Sequence, residues 1–170
     1  DTYDTMEALA GDLISHKAIS NDYGSLTDMI NVELPDGTII TKSAVYARKK
    51  GNALSSVTTE YRDIAETILV QETTTTTSLF DIYSNALQQR SDKKVADESG
   101  TLVLVTRTDI RNRTVDARGD AEAQEITTST TDSTGSEASL EVTSYQVMTN
   151  SEFDGRHNVV NQKSLNYEFE

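Results

Sequence analysis

The chain has 170 residues, enough for one ordinary domain or for a small domain with an extension. Hydrophobic residues make up 35%, Cys and Trp are absent, Pro occurs once, and 28 acidic against 15 basic residues leave a net charge of −13. These figures exclude a disulfide framework, a zinc ribbon, an iron–sulfur cluster and a thiol nucleophile, and they argue against duplex nucleic acid as a partner, because phosphate binding needs a basic face.

At the N-terminus, Met6, Leu9, Leu13 and Ile14 fall at helical spacing with Ala10 and Ala18 filling the stripe, so a first helix is expected. Asp4 with Glu7 resembles a capping box, and residues 21–24 supply a stop. Around 30–41, Val32 and Leu34 precede Pro35-Asp36-Gly37, and Ile39 and Ile40 follow. Pro presets one turn dihedral and Gly tolerates positive φ, so a short hairpin is expected there.

Leu54, Val57, Tyr61, Ile64 and Ile68 are spaced three, four, three and four, which is a heptad seam. Leu79, Ile82 or Tyr83, and Ala86 or Leu87 resume the pattern, predicting a long amphipathic helix over residues 53–90. Five consecutive threonines at 73–77 lose side-chain entropy in a helix, so a kink or break is expected there. From Gly100 onward Thr and β-branched residues dominate. Residues 101–115, 124–131, 140–149 and 165–169 read as strands. The expectation is an α+β fold: a mainly helical segment, 1–99, followed by a Thr-rich antiparallel segment, 100–170, together making one structural unit.

Catalytic signals are weak. Only His16 and His157 are present, neither in a recognisable motif, and both are expected at the solvated surface. With no Cys and two His, no nitrogen–sulfur metal site is expected. Asp97, Glu98, Asp116, Asp120 and Glu122 fall close together but do not follow an EF-hand spacing. There is no GxxxxGK[ST], GxGxxG or GxSxG. No catalytic residue, cofactor or metal is therefore assigned. Arg118-Gly119-Asp120 is the tripeptide of integrin ligands, and Asn112-Arg113-Thr114 fits the N-glycosylation rule; both recur by chance.

Charge is the more informative pattern. Arg107, Arg111 and Arg113 share one strand parity, Arg118 follows them, and Arg48, Lys49 and Lys50 form a second basic patch. Two uses are open: neutralising nearby carboxylates, or pairing with them across subunits, since arginine forks bind carboxylates bidentately. The expected function is a non-enzymatic structural subunit of a large assembly. A virus or phage particle component (capsid, interior, neck or tail) is expected, binding copies of itself and other structural proteins through those basic residues. The chain opens on Asp1, which a maturation cut, a removed leader or simple truncation would each explain. No apolar run reaches the roughly 18 residues of a membrane span. The alternative is an extracellular or cell-surface filament or adhesion module. A long helix before an antiparallel sheet resembles pilin-like subunits, although Asp4, Glu7 and Asp12 replace their apolar N-terminal half-helix.

Overall fold

β-Branched residues set the local structure. Val, Ile and Thr are stiff against the preceding turn of a helix, whereas in a strand the same branching packs on cross-strand neighbours. In the computed structural model, which describes residues 2–3, 13–63, 65–116 and 118–169, the threonines at 73–77 lie inside a 13-residue strand. Among the described residues eleven strands form one sheet. They are β1 (Thr2–Tyr3), β2 (Leu13–Asp22), β3 (Met29–Glu33), β4 (Ile39–Ser43), β5 (Ser55–Tyr61), β6 (Leu69–Asp81), β7 (Ala86–Ala96), β8 (Leu102–Val115), β9 (Ala121–Thr130), β10 (Glu141–Phe153) and β11 (Val159–Glu168). Helical structure among these residues is confined to α1 (Val45–Lys49) and one 3-10 turn (Glu137–Ser139).

The α+β expectation is overturned. No long amphipathic helix exists over the described part of 53–90, which instead holds β5, β6 and the start of β7. Of the expected seam, Val57 and Tyr61 lie in β5, Leu54 and Ile68 flank strands, and Ile64 lies outside the described residues. The three–four spacing arises from counting only the large apolar residues. Val57, Thr59 and Tyr61 also alternate along one strand face, and the β-branched Val57, Thr58 and Thr59 favour the extended backbone. Residues 4–12 of the expected first helix lie outside the described residues, and Leu13, Ile14 and Ala18 belong to β2. The long helix over 53–90 on which the pilin-like resemblance depended is therefore absent among the described residues.

Strands β5 to β11 form an antiparallel meander in sequence order, with β2 on the far side of β5. The composition shift near 97–100 is the β7–β8 turn inside this sheet. The β3–β4 hairpin, turning at 34–38, and α1 are inserted between β2 and β5. β3 runs parallel to β6, setting Val32 beside Phe80 and Glu33 beside Asp81, and so occupies the edge of β6 beyond the point where Ser55 of β5 begins opposite Thr76. Here lies the core: Ile30, Val32, Ala44, Ala47 and Phe80 are buried, with Ile40 and Leu54 packed against them. Away from it the sheet does not alternate between buried and exposed positions. All seven residues of β5 are half-buried, as is nearly all of β9. A sheet with one face on a core shows that alternation; this one is open on both faces.

Four turns share one chemistry. Each begins with Asp (81, 97, 116, 154), and the residue three further on has positive φ: Ser84, Gly100, Gly119 and His157. In each, one carboxylate oxygen accepts the N–H groups two and four residues later. This is the three-residue hairpin loop, in which a type I turn closes through a left-handed residue. Asp36, Asp63 and Asp132 cap other turns in a related way. Much of the acidic excess is therefore turn chemistry.

Candidate assembly surface

The register sorts side chains onto two unlike faces. On one, Arg90 of β7 lies opposite Asp109 of β8, and Asp92 lies opposite Arg107. Arg90 Nε donates to Asp109 Oδ1 at 2.8 Å. Arg107 grips Asp92 with two bonds of 2.7 Å, from Nε and Nη2, and Nη2 also reaches Glu137 Oε1 at 3.1 Å in the 3-10 turn. The bidentate guanidinium holds the Asp92 carboxyl below its ordinary range, and the same contact raises the Arg107 pKa. Further along the ladder Arg111 pairs with Glu33 of β3, and Arg113 pairs with Glu125 of β9 at 2.8 Å. Arg118 lies in the β8–β9 turn, 2.9 Å from Asp116 and 3.3 Å from Asp120.

Thus Arg107, Arg111, Arg113 and Arg118, singled out in the sequence, all find carboxylates within their own chain. Arg48, Lys49 and Lys50 stand exposed at the end of α1. The two groups are not brought together into one site.

The same rows continue onto β10 and β11 and change character. Arg111 and Glu125 lead to Val147 and Leu165. Asp109 and Thr127 lead to Tyr145 and Tyr167, and Arg107 and Ser129 lead to Val142. The rings of Tyr145 and Tyr167 sit 6.0 Å apart. Leu165, Tyr167 and Phe169 are 46%, 50% and 52% exposed, so the charged ladder gives way to an uncovered apolar corner at the sheet edge. In the sequence Leu165, Tyr167 and Phe169 show as an alternating strand but not as a site. Their pairing with Tyr145 and Val147 is non-local, and only the register reveals it.

The opposite face is almost uncharged at its centre. Ser56, Thr75, Ser91, Thr108, Thr128 and Ser144 form a row of hydroxyls across six strands. Beside it run Gln89, Ile110, Ile126 and Gln146.

One end of the sheet is stitched turn to turn. Asn52 donates to the Ser84 carbonyl, Asn85 Nδ2 to the Asp116 carbonyl at 3.2 Å, and His157 Nδ1 lies 2.9 Å from both oxygens of Asp120. A Cβ on Gly119 would come within 3.0 Å of Asn85 Oδ1, and φ there is +99°, so glycine is required on two counts. Asp120 is 8% exposed and engaged by His157 and Arg118, so the Arg118-Gly119-Asp120 tripeptide does not offer its carboxylate on a free loop. His16 Nε2 lies 3.0 Å from Glu66 Oε1. Asn112 is occupied by the Ala86 carbonyl and by Gln124.

Among the described residues no three His, Cys, Asp or Glu side chains converge as metal ligands, and no helix is long and apolar enough to cross a membrane. The concavities are shallow. One, lined by Thr76, Ser78, Gln88, Gln89, Arg90 and Asp109, contains an acid already held by a base. Comparison with protein families, with curated proteins and with solved structures finds no match, and neither that result nor the all-β fold supports the expected virion and phage assignment.

Proposed function

We propose that the protein is a non-catalytic assembly subunit that works by contact along its sheet. The observation that supports this reading is the open meander: the one cluster of buried apolar residues sits in β3, at α1 and at the end of β6, Leu87 and Leu104 are the buried apolar residues farther along among those described, and β11 is exposed at all ten positions. Burial of apolar area is the main stabilising term in folding, and a sheet this wide gains little of it alone. Neighbouring chains would supply the missing contacts. Three carboxylates lining these concavities support the same reading, since Asp109 is held by Arg90, Glu33 by Arg111, and Asp81 by backbone N–H groups of its own turn.

Cross-linking the protein in its native setting, followed by mass measurement, tests the proposal. Recovery in complexes well above the 18.7 kDa of one chain is expected. Recovery only as the free chain would overturn it.

A further inference from the structure

Strand β11 ends the sheet. Its pairing with β10 is regular from Gln162 to Glu168, without a bulge, and it contains no Pro and a single Lys, Lys163. Edge strands in isolated proteins are blunted by several such devices; in β11 the register irregularities lie before Gln162, and Lys163 and Glu168 are the charged residues of the regular stretch. The Phe169 N–H donates inward to the Thr143 carbonyl at 3.0 Å. N–H and C=O directions alternate along a strand, so Gln162, Ser164, Asn166 and Glu168 turn theirs outward. Water satisfies that row in the free chain, and another extended strand fits it in an assembly.

Resting on the assembly reading above, we infer that the occupant is a second copy of β11, paired antiparallel about a two-fold axis at Asn166. The residue pattern of the strand is self-complementary in this register. Leu165 faces Tyr167 of the other copy, and Tyr167 faces its Leu165. Lys163 meets Phe169, a cation beside an aromatic ring. On the other face Ser164 meets Glu168, and Asn166 meets its own image. No like charges are opposed, because the single cation and Glu168 lie on opposite faces of the strand. The apolar corner of Val147, Tyr145, Leu165 and Tyr167 joins its counterpart into one central stripe. An isologous pair of this kind closes on itself without leading to a fibre.

The absence of Cys makes the test clean. An Asn166→Cys variant should cross-link to itself under mild oxidation, because the antiparallel pair brings the two Cα atoms to about 5.5 Å, within disulfide range. A Ser91→Cys control, in the middle of the sheet, should stay single. Leu165→Lys with Tyr167→Lys should weaken self-association at least tenfold while leaving the circular dichroism of the monomer unchanged. If the wild type associates but the double-Lys variant associates equally, or Asn166→Cys stays single, the β11 interface is wrong and the assembly reading survives. If the wild type shows no association and is found with no other chain in its native setting, both fall. If the edge variants lose a different protein in place of a second copy, the two-fold pairing is overturned.

Discussion

Asp116 shows how single residues hold the turns. The backbone N–H of Asp120 and the guanidinium of Arg118 stabilise its charged form and pull its pKa down to about 2 from the ordinary 3.8. A carboxyl whose folded pKa is depressed adds stability above its unfolded value and loses it as pH falls through the folded one. The contribution is therefore complete above about pH 4 and fades toward pH 2. Asp97 and Asp154 shift in the same direction for the same reason, hydrogen bonds from their own turns. Thermal unfolding followed from pH 5 to pH 2 should show its steepest loss below pH 4. Asp116→Asn, which keeps an oxygen for the turn but cannot titrate, should flatten that slope. Arg107 offers a second test. Its side chain is 14% exposed and joins β8 to Asp92 of β7 and to Glu137. Arg107→Ala leaves Asp92 without its partner and should cost about 1–3 kcal/mol in urea unfolding. Arg107→Lys should recover only part of that, since an ammonium cannot reproduce the fork.

Among the elements, the β3–β4 hairpin with α1 carries most of the buried apolar cluster, while Leu87 and Leu104 are buried singly farther along the sheet. Phe80 is 1% exposed and touches this unit from β6. Phe80→Ala should cost about 3–5 kcal/mol, and hydrogen exchange should accelerate first in β3 and β4, with the β8–β9 pair affected least. Some elements are legible from local chemistry. The alternation of Leu102, Leu104, Thr106 and Thr108 marks an extended backbone, whereas of the four Asp turns only those at 97 and 116 carry a glycine at the left-handed position, and Ser84 and His157 give no such signal. What escapes the sequence is the identity of residues 53–90. Leu54, Val57, Tyr61 and Ile68 satisfy a helical period, and nothing within that window shows that β6 and β7 will accept Thr58 and Thr73 as cross-strand neighbours. The basic residues are legible as a cluster. Their carboxylate partners, Asp92 on β7 and Glu33 on β3, come from other strands and emerge only with the topology.

For the molecule as a whole, the charge has two destinations. Part of it is neutralised in the cross-strand ladder, and much of the acidic excess caps turns at the two ends of the sheet. The β10–β11 corner is left with little charge of its own, while each copy still carries −13. Long-range repulsion should therefore oppose self-association, and screening should relieve it. Raising salt from about 20 mM to about 300 mM, where the Debye length shrinks from roughly 20 Å to below 10 Å, should strengthen pairing of the chains. An interface built on ion pairs between Arg107, Arg111 or Arg113 and another copy would weaken instead.

Sedimentation equilibrium of the intact chain over a range of concentrations, at low and at moderate salt, addresses the open-sheet account at its base. A mass rising from 18.7 kDa toward twice that value with concentration, and rising sooner at the higher salt, is the expected result. A mass that stays at one chain throughout, in a protein that remains folded, would contradict a sheet completed by its own copies.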